Sequence, residues 1–468
     1  MSSGPTEESF RDQLGIVSQE GKRKWVYPKA PHGRFHDARL IVSWGLLAIL
    51  FVTPFLRVNG HPFMLFDITE RKFVILGQIF GPHDFFLLAL GMITTVVFIF
   101  LFTVVLGRLF CGWLCPQTVL LEMVFRKIDF WLEGNPRQQR TLNESSWTGR
   151  KFRVKGLKHV IYFCLSFIIA NTLLAWIIGT DKLSQIITDP PAEHMGGLTA
   201  MILFAGGFHW LFAWFREQAC ILVCPYGRLQ GVLLDRHSIV IAYDHVRGEP
   251  RGKLRRNEPR NLGDCIDCGQ CVDVCPTGID IRNGTQLECV NCTACIDACD
   301  TIMDSIEKPR GLIRYDSIEG IEKKIRSLIT PRSIGYSVVL LLLVFILTYF
   351  ISNRSEVDIT ILRTPGMYFQ EQPDSSISNL YDVKAVNKTF SNLPLSFRLK
   401  GTDGTIRLLG DSLILKGQEA AAAKLFVLIK RGHITTMNTP LTIEVRSGDV
   451  VTNTVQTSFL GPVHKKAE

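Results

Sequence analysis

The chain has 468 residues, room for several domains, with 47% hydrophobic and 20% charged residues and a formal net charge of +9. That positive surplus is not spread evenly. Lys and Arg crowd into residues 1–39, 108–158 and 216–332, while only four fall in 57–84 and 180–195 together. Banding of this kind belongs to loops kept on one side of a membrane, so nucleic acid is excluded as an expected partner.

Residues 1–39 form a polar, Lys/Arg-bearing segment that lacks the short basic start of a cleavable secretory peptide. Apolar runs follow at 40–56, 85–106, 156–179, 196–215 and 333–352. A membrane span needs roughly 20 apolar residues, so the first run is short and the others fit. Buried helices of a soluble protein are the alternative, but "SVVLLLLVFILTYFIS" carries no charge and leaves no side for water. Five spans are therefore expected. The positive bands place the amino terminus, the loop after the second run and the stretch after the fourth in the cytoplasm; the tail after the fifth is then outside. Membrane lipid is the expected surrounding. All thirteen cysteines precede the fifth run, as reduced thiols on the cytoplasmic side require, and no disulfide framework is expected.

Two short stretches repeat each other, "FCGWLCPQ" at 110–117 and "ACILVCPY" at 219–226. Each places two cysteines four apart after an apolar run, with a proline behind the second. Proline suits the first position of a helix, so Pro116 and Pro225 start surface helices, "PQTVLLEMVFRKIDFWLEG" and "PYGRLQGVLLDRHSIV", with Cys115 and Cys224 at their N-caps. Positive charge at a helix start favours thiolate. Cys111 and Cys220, one turn earlier, are expected to converge on the same points, giving each pair two soft anions. Small apolar residues in a crowded interface are the bland reading, and it suits the isolated Cys164. For the two pairs a metal site, a redox disulfide and part of a quinol site stay open. Among metals, paired thiolates favour Cu(I), which makes bound Cu(II) easier to reduce. Cys111, Cys115, Cys220 and Cys224 are thus the candidate catalytic and copper-binding residues, holding one ion together, one each, or one between two chains of a homodimer.

The next motif is "CIDCGQCVDVCP" at 265–276 and "CVNCTACIDACD" at 289–300, both C-x2-C-x2-C-x3-C. Three close cysteines wrap one cubane while the fourth reaches the other. That crossing gives Cys265, Cys268, Cys271 and Cys299 to one [4Fe–4S] cluster, and Cys289, Cys292, Cys295 and Cys275 to its neighbour. Zinc needs two separated pairs and does not call for this spacing twice. Residues 263–303 resemble the two-cluster bacterial ferredoxins. One departure is Asp300 where that family's pattern has proline, with an altered local backbone as the expected result.

Before these cysteines, "RGEPRGKLRRNEPR" at 247–260 is read as a tract following anionic headgroups, or as a dock for an acidic electron donor. His209, inside the fourth run, serves either as a proton or quinol group or as a neutral histidine bonded to a neighbouring helix. His159 is expected at the cytoplasmic start of the third span. The tail at 353–468 alternates in short strands such as "LSFRLKG" and "LTIEVRSG", the pattern of an immunoglobulin-like sandwich. His433, Met437 and Met367 are conceivable external copper ligands, with surface or core roles the usual alternative.

Taken together, the duplicated CxxxCP units, the paired cysteine runs, one further span and a β tail resemble the FixG/CcoG family of cytochrome c oxidase accessory proteins over nearly the whole chain. The CxxxCP halves alone also look like NapH-type quinol dehydrogenases. The resemblance implies assembly of a cbb3-type oxidase by reduction of copper, with a copper transporter or chaperone and assembly factors as partners. The expected fold is multidomain: segment 1–39; an α-helical membrane domain at 40–245; an inserted two-cluster ferredoxin-like domain with its linker at 246–332; the fifth span at 333–352; and an all-β Ig-like domain at 353–468. No nucleotide or flavin fingerprint is present, so the electron donor is another protein or a quinol. A quinol dehydrogenase and a non-catalytic scaffold are the competing functions.

Overall fold

The computed structural model describes residues 20, 22–253, 262–324, 329–410, 413–434, 436–448 and 450–462. Five helices are long and apolar enough to cross a membrane: Arg34–Phe55, Pro82–Leu106, Gly149–Ile178, Met195–Phe215 and Pro331–Ser352, here spans 1 to 5. Spans 1 and 3 begin earlier than their apolar runs because polar side chains at those ends find partners. Arg39 is buried among carbonyls, and Thr148 caps span 3 by accepting from the Lys151 amide. His159 consequently sits ten residues into its helix rather than at its start.

The chain divides into two compact units, Met1–Phe55 with Leu90–Val344, and Leu56–Ala89 with Phe345–Glu468. In the first unit, spans 3 and 4 meet at an aromatic cluster. Phe125 stacks on Phe212 with centroids 4.3 Å apart, and Tyr162 meets Phe125 edge-on. Beneath it lies a charge network. Asp129 takes Arg216 at 2.7 Å, Lys158 at 2.7 Å and the Tyr162 hydroxyl at 2.7 Å, all buried.

The ferredoxin-like part packs the helix Ala294–Ser305 against an antiparallel pair, Val240–Tyr243 with Ile313–Asp316. Its core holds Ile241, Ile296, Met303, Leu312 and Ile313. The second surface helix is therefore shorter than its sequence stretch implies. It runs Pro225–Leu233 and stops where the Asp235 carboxylate accepts the amides of His237 and Ser238 at 2.9 Å, an Asx turn that hands the β-branched "SIVIAY" to a strand. The first surface helix is continuous from Pro116 to Glu133 with a π turn at Leu121–Phe125.

The second unit is an all-β sandwich. One sheet orders Gly404–Leu409, Ala420–Lys430, Ser376–Asn387 and Val357–Arg363; the other orders Leu413–Leu415, Leu393–Lys400, Asn438–Ser447 and Val450–Leu460, every pair antiparallel. Alternate residues of these strands, among them Tyr381, Val427, Ile443 and Phe459, fill a fully buried core. The Tyr381 hydroxyl donates to the Ser458 carbonyl at 2.8 Å and ties the sheets. Residues Leu56–Ala89, which the sequence reading leaves in the membrane domain, cluster with this sandwich. Buried Asp84 explains the attachment, holding Arg354 at 2.6 Å and Lys388 at 2.9 Å.

Candidate iron–sulfur and thiol site

The two cysteine runs share one backbone. Asp267 and Asn291 both have φ of 53°, and Gly269 and Thr293 have φ of 69° and 66°, each at the same offset from Cys265 and Cys289. Alternation into the left-handed region turns successive amides inward, the concave nest that suits an anionic cluster. Cys265, Cys268, Cys271 and Cys299 line one cavity, and Cys275, Cys289, Cys292 and Cys295 line a second, with Cys271 bordering both. The donor set fits [4Fe–4S] chemistry: four sulfurs around each small cavity. Burial pushes the Cys271, Cys289 and Cys299 thiols up to about 12 and Cys292 to about 11, so a cluster held there has to displace their protons.

Asp300, in the place of the ferredoxin proline, is part of an unbroken helix that runs five residues past it to Ser305. Proline there would remove a helical hydrogen bond and clash with the preceding turn. After Cys275 the helix has already ended at Asp273, and Pro276 is tolerated. Asp300 instead accepts the Gly311 amide at 2.9 Å and meets Arg34 at 3.5 Å.

The CxxxCP units are also one structure used twice. Four residues before Cys111 the chain turns at Gly107 with φ 56°, and four before Cys220 it turns at Arg216 with φ 49°. Cys115 and Cys224 then stand at N-caps with nearly equal angles, φ −65° and ψ 122° against φ −62° and ψ 112°, before Pro116 and Pro225. Arginine in a left-handed turn is strained, and the Asp129 carboxylate fixes it there.

The two CxxxCP units are joined through their first cysteines. The Cys111 thiol donates to Gln230 Oε1 at 3.3 Å, and Thr118 hydrogen-bonds Cys220, so each first cysteine touches the other unit's surface helix. Cys220 feels the charges of Cys115, Cys111 and Cys224. The expectation of thiolate pairs needs correction at Cys111 and Cys220. Burial, followed by the neighbouring sulfurs, raises them to about 11 and about 12. A soft cation at this place must displace protons.

This thiol cluster is seated directly on a ferredoxin loop. Gly112, between the cysteines of the first pair, lies so close to Val290 and Asn291 that a Cβ would come within 2.3 Å of the Asn291 carbonyl. Two buried arginines clamp the junction. Arg39 donates to the Gly112 carbonyl at 2.9 Å and the Cys292 carbonyl at 2.8 Å. Arg108 donates to the Gly227 carbonyl at 2.8 Å in the second unit and to the Leu287 carbonyl beside Cys289. Trp113 donates to the Tyr315 hydroxyl at 3.0 Å, which donates to Asn291. Sequence reasoning missed Arg39 and Arg108. Both stand at the edges of positive bands that abut apolar runs, where arginine is ordinary, so residue type alone does not mark them.

Other singled-out residues are dispersed. His209 Nε2 pairs with His159 Nδ1 at 3.3 Å. Cys164 is exposed on span 3, not packed in the crowded interface expected of it. His433 stands 3.8 Å from Asp403, and Met367 and Met437 are exposed. Arg247 is bonded within the protein, to Asp264 at 2.6 Å and the Arg310 carbonyl at 3.1 Å, while 254–260 of the basic tract lie outside the described residues. Among the described residues, one group of His, Cys, Asp and Glu brings three ligand atoms within 4.8 Å of one another: Asp189, Glu193 and His194, a surface cluster.

Fold and site together define a membrane-associated iron–sulfur electron-transfer protein. Residues 88–137 match a 4Fe-4S binding domain, 215–318 a 4Fe-4S dicluster domain, and 347–462 the IG-like fold at the C-terminal of FixG. Protein RdxB of Cereibacter sphaeroides is 35% identical over 396 residues, covering 78% of this chain and 80% of RdxB. Nitrogen fixation protein FixG of Rhizobium meliloti is 29% identical over 467 residues and 88% of each chain. The chain belongs to the FixG family. Ferredoxin-type protein NapH of Escherichia coli is 26% identical over a shorter stretch, 36% of this chain and 59% of NapH.

Proposed function

We propose that this protein is a cupric reductase serving assembly of a cbb3-type cytochrome oxidase. Cys265, Cys268, Cys271 and Cys299 hold one [4Fe–4S] cluster; Cys275, Cys289, Cys292 and Cys295 hold the other. When bound, the clusters supply one-electron redox chemistry. Cys111, Cys115, Cys220 and Cys224 take copper as substrate, and the thiols that bind it lose their protons to water. Thiolates favour Cu(I) over Cu(II), so the ion gains one electron where it is best stabilised as the product. The carrying observation is the contact of Gly112 with Val290 and Asn291, which seats the thiol cluster on a cluster-binding loop. Arg39 and Arg108 add positive charge at that junction and oppose the build-up of negative charge on reduction.

In this reading the ferredoxin-like part faces the cytoplasm of a bacterial inner membrane and the Ig-like domain faces the periplasm, in keeping with the positive bands of the sequence. A copper transporter or chaperone supplies the ion, and oxidase assembly factors meet the Ig-like domain. Copper titration of the purified protein should give a bound stoichiometry that is lost when all four cysteines become serine. Unchanged stoichiometry in that variant removes the site.

A second reading rests on one observation: the 4Fe-4S binding domain matched at 88–137 contains two cysteines, Cys111 and Cys115. Joined by Cys220 and Cys224 they form a four-sulfur set for a third cluster in a NapH-like electron relay. Iron analysis separates the two, at about eight iron atoms per chain for copper reduction and about twelve for the relay.

A further inference from the structure

A cavity of about 980 Å³ opens where the ends of spans 3 and 4 meet the amino-terminal segment. Its wall carries Trp25, Trp147, Phe152 and Trp214, each exposed by more than a third of its surface, together with Tyr27 and His159. That volume lies in the range of small-molecule sites, and aromatic faces are the natural walls for a flat ring. We propose that this cavity binds a hydroquinone lipid and is the point where electrons enter the protein. The inference deepens the proposed function by naming the donor, and rests on its assignment of the two clusters.

Four of the six cations in the wall are engaged within the protein. Lys155 and Lys158 are held by Glu133 at 2.8 and 3.0 Å, Arg216 by Asp129, and Lys151 donates to the carbonyls of Asn143 and Ser145 at 2.9 and 2.6 Å. The cations left, Lys24 and Arg140, are exposed to water. A neutral ring can lie on the aromatic faces without competing for those two cations. The position suits a lipid-soluble donor, since residues 151–159 and 213–214 of the wall lie at the ends of two spans. His159 supplies an imidazole to accept a hydroxyl proton, with His209 bonded behind it at 3.3 Å.

The cavity also has a path to the ferredoxin-like part. A second cavity of about 600 Å³ shares Lys24, Trp25, Tyr27 and Arg140 with the first, and its far wall includes Asp273, Cys275 and Gly278. The Lys29 amide donates to the Asp273 carbonyl at 2.8 Å, and Val26 lies against Gly278, so this strand of chain is fastened to the loop bearing Cys275. Trp25 and Tyr27 therefore stand between the ring and that loop. The balance is QH2 → Q + 2 H+ + 2 e−. Both O–H bonds break, one proton passes to His159 and one to water, and the two electrons would go one to the cluster held by Cys265, Cys268, Cys271 and Cys299 and one to that held by Cys275, Cys289, Cys292 and Cys295.

Gly156 gives a clean test. It lines the cavity, and a Cβ there meets nothing within 4 Å, so Gly156→Phe can start its side chain into the cavity without a backbone clash. The full-length protein in detergent is titrated with the fluorescent quinol analogue 2-heptyl-4-hydroxyquinoline N-oxide, following fluorescence quenching. Saturable binding at about one per chain is expected, weakened at least about tenfold in Gly156→Phe. Menadiol should reduce the clusters of the parent protein and not those of Gly156→Phe, while dithionite reduces both alike. Absent saturable binding, equal binding by the variant, or displacement of the analogue by phosphatidylglycerol (which assigns the cavity to lipid) overturns the proposal. Cys111→Ser should bind the analogue normally, so failure of copper chemistry and failure of this site read out separately.

Discussion

Arg39 and Arg108 show how single side chains set the character of the site. Each is buried and each donates to backbone carbonyls beside a cysteine, Arg39 at Cys292 and Arg108 near Cys289. A guanidinium so close to an anionic cluster favours the reduced state by on the order of 2 kcal/mol at an effective dielectric near 20. Arg39→Gln should therefore lower one cluster's midpoint potential by roughly 50–100 mV, read by EPR during a redox titration. An unchanged potential would mean that the arginine acts only as a clamp. Asp129 answers a different charge question. Burial alone would raise its carboxyl, but Arg216 and Lys158 outweigh that and hold it at about 2. A folded value below the unfolded value of about 3.9 contributes stability that is present above pH 4 and lost as pH falls from about 4 toward 2. Asp129→Asn should remove that acid-side dependence. At neutral pH it should cost about 3 kcal/mol, because buried Arg216 keeps only Glu217 at 3.9 Å and Lys158 only Glu133 at 3.0 Å. Thermal melts of the detergent-solubilised protein across pH check both.

At the level of elements, what was readable in the sequence is what is local. Cysteine spacing, the proline behind Cys115 and Cys224, and the strand alternation of the tail each act within a dozen residues, and each shapes the element it occupies. The shared turn at Gly107 and Arg216 was not readable, since glycine and arginine have opposite backbone preferences and only Asp129 reconciles them. Nor was the contact of Gly112 with Asn291, because its partners are backbone atoms that leave no mark in residue type. The departure at Asp300 was visible but not its reason, which is a helix that continues to Ser305. Asp300→Pro, restoring the ferredoxin dipeptide, should cost about 3 kcal/mol or more and release iron from the cluster held by Cys299. Iron content and visible absorbance decide this, and full retention would show that the helix tolerates the break. Gly112→Ala should loosen the junction without touching a sulfur, leaving iron content intact and slowing electron delivery to the thiols. Stopped-flow reoxidation of reduced protein by Cu(II) measures that.

The whole molecule joins two units of different construction. The sequence marked five spans and a β tail, yet it did not reveal that Leu56–Ala89 belongs with that tail, because the link is buried Asp84 meeting Arg354 and Lys388 some 270 and 304 residues away. Asp84→Ala leaves Arg354 without its counter-charge and Lys388 with Asp358 alone at 3.7 Å, and should speed proteolysis of the second unit while leaving the iron content of the first unchanged. The account turns on electron passage from the clusters to copper at Cys111, Cys115, Cys220 and Cys224. Its most direct measurement is anaerobic: protein reduced with dithionite and freed of excess reductant is mixed with Cu(II), and cluster absorbance and Cu(I) are followed together. The account predicts that cluster absorbance returns to the oxidised level as Cu(I) forms, one ion per electron, and that the four-serine variant does neither at a comparable rate. Reduced clusters that ignore Cu(II), or a four-serine variant that reduces it as fast as the parent, would contradict it.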